Sequence, residues 1–269
     1  LLINYIMLLP FTKAHGTGNH FIIIYIPECP LFDLNENLIS KLCNTSTGIG
    51  ADGLIAISND EKYDYKMDYY NNDGTWETMC VNGARCSAML LKQKKIIEKE
   101  AVFISGDGEH HIKIIDNNNV ALTIFPPQYV SDEIIVENLS GFSVNSGAKH
   151  FVIEVGRNQE LEWEKIGEKI RYSNQFPKGT NVNFVKKINN NTLEVITYEK
   201  GVEKIMQSCG SGSVAAAYHM QQKYNLDYNL NIKVSGGNLF ITADSHWKNV
   251  WLQGEVKLLF NSIIDINTL

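Results

Sequence analysis

Two cysteines stand where their surroundings suit chemistry. Cys80 lies in "MCVNGARC" (79–86) and Cys209 in "SCGSGSVAAAY" (208–218), each followed by a polar, glycine-bearing turn and then by small apolar residues. That pattern places a thiol at the start of a helix. A helix start carries unsatisfied N–H groups and the positive end of the macrodipole. The field favours a thiolate there, and the neighbouring N–H groups offer a seat for a carboxylate. Two such thiols suit a reaction that needs near-equivalent acid–base groups on opposite sides of one carbon. One sulfur removes a proton, the other returns one, and a stereocentre inverts.

Other chemistries fit these residues less well. Cys29, Cys43 and Cys86 read as small buried apolar residues, Cys86 lying a turn inside the helix where the dipole has faded. No His and Asn stand out as dedicated partners of a protease-like cysteine. The five cysteines contain no CxxC pair, and His15, His20, His110 and His111 form no ligand set with them, so no metal is expected. "TGIGADG" (47–53) lacks the Lys-Ser/Thr of a phosphate loop and does not complete the dinucleotide pattern; it reads as a structural turn bordering the site.

The elements that must position the two thiols are repeated. Cys80 and Cys209 are 129 positions apart, as are Gly18 and Gly147, and Gly50 and Gly179, while Phe21 and Phe151, and Ser105 and Ser235, are 130 apart. Matches in one order at a nearly constant offset indicate two copies of one fold. The expected halves are 7–126 and 127–255, joined at the paired prolines of "FPPQY" (125–129), with a strand near 256–269 completing the first half. Short β-branched or aromatic runs bounded by Asn, Gly and Asp recur, among them 21–26, 54–57, 66–70, 120–125, 151–155 and 193–198. Helical pattern is confined to 84–97, 161–172 and 212–224, the first burying Ala88, Met89, Leu90, Leu91 and Ile96. The expected fold class is α+β: two pseudo-symmetric halves, each a mostly antiparallel, barrel-like sheet around a central helix that begins at a cysteine. Such symmetry would aim both thiols at one cleft.

The bulk numbers bound the partners. A chain of 269 residues with 44% apolar and 20% charged content is that of a soluble globular protein, and a net charge of −6 provides no basic field for nucleic acid or anionic lipid. The apolar start "LLINYIMLLPF" is too short to span a bilayer and lacks a basic flank, so a cytoplasmic enzyme of small metabolites, off the membrane, is expected. Residues 1–6 read as an extension ahead of Met7.

Seven ordered segments, "FTKAHGTGNHF", "TGIGADGLI", "YYNNDGTWETMCVNGARC", "GAKHFV", "FPKGTNVNFV", "TYEKGV" and "SCGSG", make nearly the whole chain after Met7 resemble the diaminopimelate epimerase family. The resemblance implies two similar halves and epimerisation of LL-diaminopimelate to meso-diaminopimelate in lysine and cell-wall biosynthesis, with no pyridoxal phosphate or other cofactor. It implies Cys80 and Cys209 as the acid–base thiols, and the N–H groups of Val81, Asn82, Gly210 and Ser211 as the seat of the reacting carboxylate. Asn19, Asn71 and Asn181 match asparagines that bind the substrate's polar ends, and His150 and Glu199 match residues that assist at the reacting centre. Taken alone, Asn19 and Asn71 are also ordinary turn residues and His150 an ordinary core histidine.

Three positions depart from the family pattern. Lys200 replaces an Arg and Ala148 an Asn, both of which the resemblance assigns to the distal carboxylate, while Val81 replaces a Gly. Lysine keeps the charge without the bidentate fork; Lys149 is placed to compensate. The alternatives are therefore a racemase of the same scaffold acting on another side chain, or a non-catalytic amino-acid-binding relative. A homodimer is one assembly open to such a chain. Two thiols facing one cleft would also be expected to oxidise to a disulfide that stops turnover.

Overall fold

The computed structural model describes residues 7–29, 33–156, 159 and 162–269. The extension expected over 1–6, and Leu161 at the head of the second expected helical segment (161–172), lie outside the described residues. Two compact units form: residues up to Val120 together with Val256–Leu269, and Ala121–Glu255. The division falls within the strand Asn119–Ile124, ahead of the paired prolines Pro126 and Pro127. Among the described residues no helix is long and apolar enough to cross a membrane.

In the first unit the strand Leu8–Gly16 pairs antiparallel with Asn19–Tyr25, and on its other side with the end of the long strand Val250–Asp265. Asn19–Tyr25 then runs parallel to Gly53–Ser58, which is antiparallel to Tyr65–Asn71; that strand runs parallel to Glu100–Ser105, which is antiparallel to Gly108–Ile114. The second unit repeats the wiring. Leu139–Asn145, Lys149–Glu154, Asn181–Lys187, Thr192–Glu199, Asn229–Val234 and Gly237–Ala243 follow one another in the same alternation of antiparallel and parallel pairs. The glycine pairs found by spacing carry this repeat. Gly18 and Gly147 have φ of 83° and 96°, and Gly50 and Gly179 have φ of 77° and 69°, a left-handed backbone that other residues adopt only at a cost.

Each unit wraps its sheet around one helix and lays a second against the sheet's other face. The strand apolar runs are continuous because both faces are covered. Ile22 and Ile24 pack with Ile39 and Leu42 of helix α1 (Glu36–Cys43). Phe151 and Ile153 pack likewise with Ile170 of helix α3 (Trp163–Arg171). The inner helices are α2 (Val81–Gln93) and α4 (Gly210–Tyr224), each with ten buried residues spread around its circumference.

Helix α1 was not legible as a repeat, yet it is signalled locally: Asn35 caps it by accepting from the Leu38 N–H at 3.1 Å, ahead of Leu38, Ile39 and Leu42. Ile96 is a correction. Helix α2 begins at Val81 and ends at Gln93 rather than spanning 84–97; Lys95 takes φ 60°, and Ile96 is 42% exposed. The run of three lysines at 92, 94 and 95 keeps the last turn in water.

One turn ties α1 to the strand that ends at Asn71. Gly74 has φ 94°, and a Cβ there would collide with the backbone of Glu36. Gly74→Ala is expected to lower unfolding free energy by at least about 2 kcal/mol, because left-handed strain and a backbone clash add. Urea denaturation measures it; an unchanged midpoint would show that α1 is free to move aside.

Candidate active site

Both cysteines occupy the N-cap position of an inner helix, with nearly one backbone geometry: φ −126° and ψ 115° at Cys80, φ −130° and ψ 114° at Cys209. The cause is local in each unit. Ser105 Oγ donates to the Thr78 carbonyl at 2.8 Å, and Ser235 Oγ donates to the Gln207 carbonyl at 3.3 Å, so the matched serines pin the chain two residues before each thiol. Neither cysteine makes the side-chain cap bond of a serine or aspartate. The helical ladder begins with Ala84 N–H to Cys80 O at 2.8 Å and Ser213 N–H to Cys209 O at 3.0 Å. First-turn amides ahead of those bonds are the groups an anion would meet. Val81 opens α2 and is not among the residues with positive φ, so its replacement of glycine leaves the N–H in place.

Around Cys80 the side chains form a relay. Asn19 Oδ1 receives the thiol at 3.9 Å and Asn82 Nδ2 at 3.2 Å, while Asn19 Nδ2 donates to Asp52 Oδ2 at 3.0 Å. The same carboxylate oxygen accepts the His20 N–H at 2.8 Å. Asp52 belongs to the "TGIGADG" loop, whose Gly50 carbonyl accepts from the buried Lys13 Nζ. That loop is thus a scaffold for Asn19. Arg85 is fully buried behind it, donating through Nη2 to Thr17 Oγ1 at 3.0 Å and Asn82 Oδ1 at 2.9 Å. Burial pulls its pKa down to about 10, which leaves the guanidinium cationic at neutral pH.

Around Cys209 the setting is different. Its sulfur lies 3.7 Å from Ser211 Oγ, which lies 2.9 Å from His150 Nε2. His150 Nδ1 is 2.8 Å from Asn183 Oδ1, and Asn183 Nδ2 donates to Thr197 Oγ1 at 2.7 Å. Burial pushes the His150 pKa down to about 4, partly opposed by the bond to Asn183, so the ring is neutral at pH 7.

The remaining expected site residues are held by the chain itself. Asn71 Nδ2 donates to Thr75 Oγ1 at 3.2 Å and its Oδ1 accepts from Tyr69 OH at 3.2 Å, closing the turn that contains Gly74. Asn181 Nδ2 donates to the Lys149 carbonyl at 3.1 Å, and its Oδ1 accepts the Lys200 N–H at 2.9 Å. Asn181 therefore ties together the backbone at two exposed lysines, Lys149 and Lys200, of which Lys200 departs from the family pattern. Glu199 ends its strand, accepting the Glu203 N–H on its carbonyl at 2.8 Å. The sequence did not single out Lys13, Asp52, Arg85, Asn183, Thr197 or the Ser211 hydroxyl. A charge inside the apolar runs at Lys13 and Arg85 was the available signal.

Comparison with known proteins converges on one family. The family model described as diaminopimelate epimerase matches residues 11–130 and 142–259. A diaminopimelate epimerase of Flavobacterium psychrophilum is 38% identical over 258 residues, covering 94% of this chain and 98% of that protein. One from Aquifex aeolicus is 32% identical over 266 residues, covering 93% and 95%. Among solved structures, a hydroxyproline epimerase from Agrobacterium vitis superposes with a TM-score of 0.74 at 12% identity, covering 97% of this chain and 93% of that one. A probable proline racemase from Agrobacterium radiobacter gives 0.71 at 14% identity, covering 94% and 92%. These two likenesses establish the fold.

Proposed function

This chain belongs to the diaminopimelate epimerase family, and we propose that it interconverts LL- and meso-diaminopimelate with Cys80 and Cys209 as its acid–base pair. The observation that carries the reading is the repeated placement of a thiol at the uncapped start of each unit's inner helix. In the proposed reaction one sulfur, as thiolate, takes the proton from Cα. The C–H electron pair passes into the adjacent carboxylate, and the other sulfur, as thiol, delivers its own proton to the opposite side. The reverse direction exchanges the two roles.

The first-turn N–H groups of Val81, Asn82, Gly210 and Ser211 are proposed to hold that carboxylate, favouring the charge that develops on it over the ground state. His150 and Glu199 are proposed to assist at the reacting centre, and Asn19, Asn71, Asn181 and Lys200 to meet the substrate's polar ends. Asn71 and Asn181 would do so with capacity left after the bonds they already make, since an amide oxygen can accept twice.

A second reading keeps the chemistry and changes the side chain recognised. It is favoured by Lys200 and Ala148, which stand where the family has an Arg and an Asn. Deuterium incorporation at Cα in D2O, measured across diaminopimelate isomers and ordinary amino acids, separates the two. Diaminopimelate is expected to exchange fastest; slower exchange than with an ordinary amino acid would transfer the assignment to the second reading.

A further inference from the structure

The two units differ in what lies beneath the inner helix. In the first, the sheet face under Gly83 presents Ile55, whose Cδ1 would sit 2.8 Å from a Cβ at that glycine, and its strand neighbours in register are Ile23 and Tyr69. In the second, the face under Gly212 presents Asn183 and Thr197. A Cβ at Gly212 would run into the Asn183 amide and stand 3.2 Å from Thr197 Oγ1. His150, Asn183 and Thr197 come from adjacent strands and are 0%, 0% and 3% exposed. Buried polar groups persist where they are bonded, and the bonds here have a direction.

Because Asn183 Nδ2 donates to Thr197, its Oδ1 is the atom turned to His150 Nδ1. A carbonyl oxygen only accepts, so the neutral ring must carry its hydrogen on Nδ1 and present a lone pair at Nε2. The Ser211 hydroxyl 2.9 Å away then spends its hydrogen on Nε2, which leaves an oxygen lone pair for the sulfur 3.7 Å from it. In the opposite tautomer Nε2–H would donate to Ser211, and the hydroxyl hydrogen would turn toward the sulfur.

We propose that Asn183 is a positioning residue that fixes the tautomer of His150, and through Ser211 sets which hydrogen-bonding partner the Cys209 sulfur meets. The inference rests on the reading of Cys209 as an acid–base thiol. It gives the second unit's sulfur a partner that accepts from a thiol, and explains why a polar pair is buried under α4 where the first unit has an isoleucine. Gly212 belongs to the same device, since only a residue without a Cβ lets the first turn of α4 approach the amide.

The test combines a spectroscopic and a kinetic readout. Ring nitrogen NMR on histidine-labelled protein is expected to show His150 protonated on Nδ1, a signal that needs no substrate. Asn183→Leu removes the acceptor and is expected to lower kcat about 100-fold with KM within about twofold, the scale seen when a partner that orients a histidine is lost. Asn183→Asp still accepts from Nδ1, so it should keep the Nδ1–H signal and recover kcat to within about tenfold of the parent. An Nε2–H signal in the parent protein, or full kcat in Asn183→Leu, would overturn the proposal. Should Asn183→Leu fail to fold, the parent spectrum and Asn183→Asp still decide. Absence of turnover on every amino acid, with an Nδ1–H signal present, would count against the epimerase reading and leave the tautomer assignment standing.

Discussion

Cys80→Ser and Cys209→Ser should each lower epimerisation by roughly 1,000-fold or more while making the protein slightly more stable. The kinetic loss follows from chemistry. A serine hydroxyl in place of either sulfur is far too weak an acid to cycle between its charged and neutral forms near pH 7, and positioned acid–base groups contribute about 100- to 10,000-fold each. The stability gain follows from position. Both thiols sit at N-caps with extended backbone and make no cap bond. Serine is among the preferred N-cap residues, so each variant should gain about 0.5–1 kcal/mol. Opposite movements of activity and stability are what a site built at the expense of helix capping produces. A finer outcome separates the two roles. With one thiol left, a proton can leave and return on the same side, so solvent deuterium should still enter one isomer while inversion stops. Urea unfolding with paired epimerisation and exchange assays reads all of this. Full turnover in both serine variants would end the two-thiol assignment.

What the sequence disclosed depended on the range of each signal. Helix starts and turns are local, so Cys80, Cys209 and the left-handed glycines Gly18, Gly50, Gly147 and Gly179 were legible, and their spacing disclosed the duplication. Continuous apolar runs such as Phe21–Ile24 marked strands correctly because both of their faces are buried. Helix α2 starts three residues ahead of its hydrophobic pattern, since Asn82-Gly83 has the composition of a turn yet forms the first helical turn. The relays were beyond reach. Asn19 meets Asp52 and His150 meets Asn183, each 33 residues along the chain, Asp52 just ahead of the neighbouring parallel strand and Asn183 within one, a register no composition reports. Asn183 sits in "NVNFV", where alternation identifies a buried strand position and leaves its partner unspecified.

The cationic and neutral surroundings of the two sulfurs follow from that hidden layer. Arg85 lies five residues beyond Cys80 and donates to two neutral oxygens, Thr17 Oγ1 and Asn82 Oδ1. The matching layer in the second unit ends in a neutral imidazole. A duplicated backbone thus carries unequal charges beside its two thiols, a buried guanidinium on the Cys80 side and a neutral imidazole on the Cys209 side.

Mild acid is expected to destabilise the protein through two buried histidines. His150 and His219 are 0% and 3% exposed, and burial holds both pKa values near 4, assisted at His219 by the Lys223 charge. The Tyr129 hydroxyl, whose own pKa is raised to about 12, stays protonated and lies 3.0 Å from His219 Nδ1, a bond that suits the neutral ring. An unfolded histidine takes a proton below about pH 6.5, whereas these folded ones refuse it until about 4. Over that window the unfolded chain binds more protons, so stability falls as pH falls. Between pH 7 and pH 5 each histidine should remove about 2 kcal/mol, roughly 4 kcal/mol together. His219→Gln keeps an acceptor for Tyr129 without the titration, and should therefore halve the pH dependence while leaving stability at pH 7 nearly unchanged. Urea midpoints at pH 7, 6 and 5 measure both proteins. A flat profile in the parent chain would mean that these imidazoles find charge-stabilising partners on protonation, and a slope unchanged by His219→Gln would assign the effect to His150.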